Sequence, residues 1–385
     1  MDFTFTDDQQ AIADLAGQIL GDKVTHASLR ALEDDADARG ADLFARDVWT
    51  ELARADLLGV ALPADVGGGG YGMLGAALVL AEIGRTAAPV PFLASIVSGA
   101  MTVADHGTAD QRAALLPGTI DGTRLLTAAL TEPGASVGSR PSTTATPLDG
   151  GGWRIDGEKA FVPWLPLVAR GDDADARGRV LVPALAPDGR VLVALADPRA
   201  AGATVTPLDV TSGWPEADLA LDGVVVRAGD VLAGDGDAVL AQMVDRTTAG
   251  VCATQAGVSH GAVQLTATYT SERTQFNAPI ATFQAVAQRA ADAYIDAEGI
   301  QFTAWQAAWR LDTGRPADDE LDIAKFWAAE AGARVAQAAQ HLHGGIGVDT
   351  DYPLHRYYRL AKHLELTLGG STERLLRLGA RIAAS

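Results

Sequence analysis

The sequence predicts a mainly α-helical protein with a β domain inserted between an N-terminal helical domain and a C-terminal four-helix bundle. Three observations carry this expectation. Apolar residues recur at helical spacing up to about residue 120. From about 121 to 232 the apolar runs shorten, and β-branched residues alternate with turn signals. From about 235 the helical period returns in three long alanine-rich stretches with short connections, the pattern of a bundle. The expected boundaries are 1–120, 121–232 and 233–385, and 385 residues exceed what one core organises.

Taken in order, Thr6-Asp7-Asp8 caps a first helix carrying Ile12, Leu15, Ile19 and Leu20. Asp47 to Asp56 sets Val48, Trp49 and Leu52 on one face, and Met73 to Gly84 is a further apolar helix. Between them, Gly67-Gly68-Gly69-Gly70-Tyr71-Gly72 matches a G-x-G-x-x-G pattern literally. A dinucleotide loop needs a strand before it and an acidic residue about 20 positions on. Pro63 interrupts the preceding run and Glu82 comes too early, so a helix–helix loop is expected. Strand-like runs follow at Leu125–Leu130, Trp153–Ile155, Val180–Leu185, Val191–Leu195 and Leu219–Val226. Asp156-Gly157 and Asp188-Gly189 read as turns, and the charged stretch Gly171 to Arg179 as an exposed loop. The long helices are expected at Asp237–Arg273, Thr282–Leu311 and Asp318–His341. The second carries Phe283, Val286, Ala290, Tyr294, Ala297, Ala304, Trp305 and Ala308.

A formal net charge of −19 argues against nucleic acid and anionic membranes as partners. Cys252 is the only cysteine, which excludes an intrachain disulfide and a cysteine-based metal cluster. The acidic start, MDFTFTDDQQ, is unlike a signal segment, and no apolar run reaches the roughly 18 residues of a membrane helix. A soluble, cytoplasmic protein is expected.

The stretch from His341 to Gly379 organises the rest. It holds two paired-glycine turns, Gly344-Gly345 and Gly369-Gly370, 25 positions apart. Such pairs let backbone N–H groups approach a ligand and could frame one pocket; they are also what ordinary helix C-caps look like.

His341-Leu342-His343-Gly344-Gly345-Ile346-Gly347 resembles the Q-[LIV]-[HF]-G-G-x-G segment of acyl-CoA dehydrogenases. Ser271 to Ile280 with Phe283-Gln284 resembles their E-R-x-x-F-G-x-P segment. Thr131-Glu132-Pro133-Gly134-Ala135 resembles TEPGAGSD, and Pro63 to Gly72 resembles P-E-x-x-G-G-x-G. The motifs follow the family's order and span essentially the whole chain. The resemblance implies the acyl-CoA dehydrogenase fold, with a β-barrel-like middle domain, and FAD as cofactor. It implies an acyl-CoA substrate, oxidised at Cα–Cβ, and an electron-transfer flavoprotein or similar acceptor. It assigns FAD contacts to Arg273, Phe276, Gln284, His341, His343, Gly344, Gly345 and Thr131, of which those from Arg273 onward reach the FAD of a neighbouring subunit.

The same resemblance exposes departures. The family's glutamate base lies in Y-E-G-T; the matching residues are Leu368-Gly369-Gly370-Ser371, so the base position is Gly369, with a backbone N–H but no carboxylate. The alternative base position on the first bundle helix is Thr247, which is no carboxylate base. Asp245, Glu365 and Glu373 lie near these positions and read as surface or ion-pair residues. The family's W-[IV]-[ST] at the flavin edge becomes Phe161-Val162-Pro163, and proline offers neither hydroxyl nor N–H. A metal reading of His341 and His343 lacks a third ligand. The pattern resembles the base-lacking subunit of actinobacterial heterotetrameric acyl-CoA dehydrogenases, several of which act on steroid-CoA thioesters, with a paralogous subunit as partner. A self-sufficient homotetramer with a displaced base and a non-catalytic acyl-CoA- or protein-binding scaffold remain as alternatives.

Overall fold

The computed structural model describes residues 4–40, 42–170 and 178–384. Its elements are helices α1 (Asp7–Lys23), α2 (His26–Arg39), α3 (Arg46–Arg54), α4 (Gly72–Thr86), α5 (Met101–His106) and α6 (Ala109–Ile120). Strands β1 (Leu126–Ala128), β2 (Thr144–Pro147) and β3 (Trp153–Pro163) follow, then α7 (Leu165–Arg170), β4 (Arg179–Leu185), β5 (Val191–Ala196), β6 (Ala203–Leu208) and β7 (Glu216–Val226). The chain ends with α8 (Gly236–Glu272), the short strands β8 (Thr274–Gln275) and β9 (Ala278–Pro279), α9 (Gln284–Asp312), α10 (Asp318–His343), α11 (Leu354–Leu366) and α12 (Ser371–Ala384). They fall into two compact units, one of 1–39, 73–89 and 248–385, the other of 40–72 and 90–247.

The first unit is helical. Thr6 caps α1 in a capping box with Gln9, as its sequence predicts. Ile12, Ala16 and Leu20 are buried, but Leu15 is 40% exposed. Ala262 of α8, Ala293 of α9, Val335 and Ala339 of α10 and Leu354 of α11 share one core, where alanines let the helices approach closely. Of the apolar face expected on α9, Ala297, Ala304 and Ala308 are buried, joined by Ala293, Ile300 and Ala307, whereas Tyr294 and, just before the helix, Phe283 are exposed. The small residues of the expected face are the ones that close packing buries, and Tyr294 is left outside it.

The second unit holds α3, whose Val48, Trp49 and Leu52 are buried as expected, and a seven-stranded mixed sheet ordered β1-β4-β2-β3-β7-β6, with β5 added on β4. Its core is built from Ile155, Val162, Val180, Val182, Leu219 and Val224 among others. The Gly67–Gly70 segment joins a short 3-10 turn, Ala64–Val66, to α4, as a helix–helix loop should. Asp188-Gly189 does turn β4 into β5. Asp156-Gly157 does not turn the chain: both lie inside β3, at a register shift against β7. Gly157 is required there because a Cβ would sit 2.7 Å from the Thr143 backbone. Of the charged stretch 171–179, residues 171–177 lie outside the described residues, and Arg179 opens β4. Among the described residues no helix is long and apolar enough to cross a membrane.

Candidate functional site

The connection from α11 to α12 is built on buried cations. Lys325, on the inward face of α10 and fully buried, donates to Leu364 O at 3.1 Å and Glu365 O at 3.0 Å. It thus sits on the carbonyl end of α11, where a cation is favoured. Burial pulls its pKa down to about 8. Arg374, 2% exposed, donates to Asp322 Oδ1 at 2.9 Å and to Leu368 O. Asp322 also receives Arg381 at 2.6 Å and Arg377 at 3.5 Å, so three arginines on one face of α12 converge on one buried carboxylate.

These bonds hold Leu368 and Gly369 at φ of 55° and 93°. The Gly369 N–H, which the sequence left available to a thioester oxygen, donates to Leu366 O at 3.2 Å. A Cβ built on Gly369 would lie 2.6 Å from Glu373 Oε2. Glu365 pairs with Lys362 at 2.5 Å, the ion-pair role expected of it. Asp245 is half-buried on α8. Thr247 is 7% exposed, its hydroxyl bonded to Met243 O at 2.6 Å and next to Ser98 Oγ at 2.9 Å.

In the second unit, Thr131 O accepts from Ala160 N at 3.0 Å, tying the segment after β1 to β3. The next residue, Glu132, is buried. It accepts from Lys159 Nζ at 2.5 Å, Ser142 N at 2.6 Å, Ser142 Oγ at 2.5 Å, Thr143 N at 3.1 Å and Thr143 Oγ1 at 2.6 Å. Burial opposes the charge, but the bonds from Lys159, Ser142 and Thr143 outweigh it and bring the pKa to about 2. Burial pulls Lys159 down from its usual value as well. At the end of β3, Phe161 (φ 53°) is 59% exposed and donates its N–H to Asp218 Oδ1 at 3.0 Å. Pro163 O accepts from Thr127 Oγ1 at 2.6 Å, and the Trp164 N–H goes to Pro215 O at 2.6 Å.

At the end of α8, Arg273 precedes a tight hairpin whose two loop residues, Phe276 and Asn277, have φ of 51° and 62°. This is the geometry of a type I′ turn, which favours glycine or asparagine rather than phenylalanine. Phe276 is nevertheless 91% exposed, edge-on to Phe283 with ring centroids 6.3 Å apart. Arg273 and Gln284 are exposed, and among the described residues the Arg273 guanidinium has no carboxylate partner. Gly344 ends α10 at φ 67°, and a Cβ on Gly344 or Gly345 would meet nothing within 4 Å. His341 is exposed, but His343 is only 5% exposed. Among the described residues no group of three His, Cys, Asp or Glu side chains is placed to hold a metal.

Sequence reasoning missed Lys325, Lys159, Tyr269 and Tyr352. A lysine inside the apolar face of a predicted helix was the legible signal for Lys325. The spacing of Tyr269, one turn before Arg273, was the signal for the aromatic group behind His343.

Helices thus lie before and after a seven-stranded sheet, and Arg273 and the Gly344–Gly345 pair are exposed. Residues 6–123 match the acyl-CoA dehydrogenase N-terminal domain and residues 234–384 the C-terminal domain. The chain is 38% identical to acyl-CoA dehydrogenase FadE27 of Mycobacterium tuberculosis, over 100% of this chain and 99% of that protein, and 33% identical to FadE28 of the same organism, over 99% of each. Among solved structures it resembles the ChsE4-ChsE5 complex from Mycobacterium tuberculosis, with a TM-score of 0.91 and 36% identity over all of both chains. It also resembles a variant of the Tcur3481-Tcur3483 steroid ACAD, with a TM-score of 0.87 and 41% identity over 98% of this chain and 99% of that one. The chain belongs to the acyl-CoA dehydrogenase family, a family of FAD-dependent oxidoreductases. The open Arg273–Gln284 and Gly344–Gly345 elements fit the anionic and aromatic end of FAD. The β3 edge does not fit a flavin edge, because the Ala160, Phe161 and Trp164 N–H groups are spent internally.

Proposed function

We propose that this chain is the partner subunit of a hetero-oligomeric acyl-CoA dehydrogenase. It supplies the fold and FAD contacts across the interface, while a paralogous subunit supplies the catalytic base. The observation that carries this is the contrast between Gly369 and Thr247, which bring no carboxylate to the two positions proposed for the base, and the exposed Arg273, Gln284 and Gly344–Gly345, an arm proposed to face FAD. In that arm the Arg273 guanidinium would bond a diphosphate, the Gly344–Gly345 backbone would approach it, and the exposed Phe276 ring would lie against a planar base. Gln284 and His341 complete the proposed contacts of the arm, and Thr131 is a separate proposed FAD contact in the other unit. FAD, when bound, supplies the acceptor for the β-hydrogen and its electron pair. The α-proton goes to the partner's base.

The relatives support a two-chain assembly and a steroid-CoA thioester as the substrate class. The proposed division into 1–120, 121–232 and 233–385, a cytoplasmic setting and an electron-transfer flavoprotein as acceptor complete the reading. The experiment is purification of the chain with and without the paralogous subunit, measuring FAD per chain and acyl-CoA oxidation. FAD and turnover appearing only in the co-purified assembly is the expected result. The position of the Glu373 carboxylate over Gly369 favours a second reading, in which Glu373 acts as a displaced base.

A further inference from the structure

His343 was expected to contact cofactor, but its ring faces inward, 5% exposed. Its Nδ1 lies 2.8 Å from Ala339 O. A carbonyl oxygen only accepts, so Nδ1 carries the proton. Nε2 then accepts from the Tyr352 hydroxyl at 3.1 Å. Burial lowers the pKa of His343, which disfavours the charged ring. One face of the ring stacks on Tyr269, with centroids 4.4 Å apart and planes 20° apart. Tyr269 in turn meets Tyr352 edge-on at 6.1 Å.

Each partner of this ring leads to the open arm. Tyr269 lies in the last turn of α8, and its carbonyl accepts at 2.8 Å from the N–H of Arg273, the residue that follows the helix. Gly344 directly follows His343, at φ 67° and ψ −141°, backbone angles that glycine takes without strain, and its carbonyl accepts from Gln340 Nε2 at 2.9 Å. The aromatic group therefore joins the last turn of α8 to the end of α10 directly behind the exposed glycines.

We propose that His343, held between Tyr269 and Tyr352, is a positioning residue that sets the spacing between the Arg273 guanidinium and the Gly344–Gly345 backbone, and thereby the affinity for the diphosphate of FAD. This rests on the assignment of those groups to FAD made above. His343 itself touches no cofactor atom in this scheme; it fixes two elements that do.

The test uses the full-length chain in its native assembly, stripped of FAD and retitrated with FAD, with the thermal midpoint of the apo-assembly followed in parallel. Tyr352→Phe removes one hydroxyl and keeps the ring. His343→Phe keeps an aromatic ring and loses both hydrogen bonds. Each should weaken FAD binding about threefold to tenfold, the range for one hydrogen bond. The double variant should be no weaker than His343→Phe alone, because the Tyr352 hydroxyl acts through His343. Arg273→Ala separates the two levels. If Arg273→Ala weakens FAD but Tyr352→Phe and His343→Phe change only the thermal midpoint, His343 is a packing residue and the inference fails. If Arg273→Ala itself leaves FAD affinity unchanged, the assignment of the arm to FAD fails. Additive losses in the double variant would also overturn the coupling.

Discussion

The carboxylate of Glu373 occupies the place where a side chain at Gly369 would begin: an ideal Cβ on Gly369 lies 2.6 Å from its Oε2. Two costs therefore face any substitution at 369. The φ of 93° strains an L-residue by about 1–2 kcal/mol. The contact with Glu373 is the smaller cost, because the end of a flexible side chain can move. Gly369→Ala should destabilise by about 1–2 kcal/mol in denaturant titrations. Adding Glu373→Ala should recover only the contact share. Full recovery in the double variant would mean that backbone strain at 369 is negligible.

Glu132 and Lys159 form a buried pair, with side chains 5% and 2% exposed. Glu132's pKa in the fold lies below its unfolded value, at about 2 against 4.5. Its contribution, on the order of 3 kcal/mol, is complete above the unfolded value and is lost as pH falls through the folded one. Glu132→Gln should flatten the stability–pH curve in that acid window. It should also cost about 3–5 kcal/mol at neutral pH by leaving Lys159 buried without its counter-charge, with only Pro183 O and an uncharged amide to accept from it. Glu132→Gln with Lys159→Met should cost less than Glu132→Gln alone. An unchanged acid slope in Glu132→Gln would contradict the ionised assignment.

Lys325 is also shifted down, but in its case the shift disfavours the charged form. Burial holds its pKa at about 8 against 10.5 unfolded. Between those values the unfolded chain keeps a proton that the folded chain has released, so rising pH stabilises the fold through that window. Below it, the cost of burying the ammonium is present in full. Lys325→Met removes this cost but leaves Leu364 O and Glu365 O without their donor, at about 1–3 kcal/mol each. The two effects nearly cancel at neutral pH, so the slope is the diagnostic. Stability measured from pH 8 upward should lose its alkaline rise in Lys325→Met; a rise that persists would assign it to another group.

How far these elements were legible follows from what each residue answers to. The capping box at Thr6 and the long helices answer to local rules, and the sequence reads them. β2 and β6 went unread because Thr144–Pro147 and Ala203–Leu208 are short and polar, and each contains a proline; β6 also lies at the sheet edge, where proline is tolerated. Asp156-Gly157 was misread because its glycine serves a close approach to Thr143, a partner that no local pattern shows. At the candidate site, the missing carboxylates at Gly369 and Thr247 were visible as letters. That Gly369's N–H is already donated to Leu366 O, and that Glu373 folds back over it, depends on side chains and turns that only the packed helices define.

Phe276 offers a test in which stability and binding move in opposite directions. Its φ of 51° in the hairpin loop costs about 1–2 kcal/mol for a non-glycine residue, and its ring gains little in return at 91% exposure. Phe276→Gly should therefore stabilise the chain by about 1 kcal/mol, less the edge contact with Phe283. FAD affinity of the assembly should nonetheless fall several-fold. Gain of stability without loss of FAD would remove Phe276 from the proposed contacts.

The remaining question is where the α-proton goes. Gly369 and Thr247 carry no carboxylate, and the Thr247 hydroxyl is already bonded to Met243 O. The chain alone should therefore show no acyl-CoA oxidation with an artificial electron acceptor and no exchange of the Cα proton with D2O. Glu373 challenges this proposal, because its Oε2 lies 2.6 Å from where a Cβ on Gly369 would be. Glu373→Gln preserves shape and removes the basic oxygen. In the two-chain assembly it should leave kcat within about threefold, since loss of a true general base costs about a hundredfold or more. A collapse of kcat with FAD still bound, together with turnover by the isolated wild-type chain, would make Glu373 the base and displace the partner-subunit reading. A collapse in the assembly with no turnover by the isolated chain would instead place Glu373 in a site completed by the second subunit.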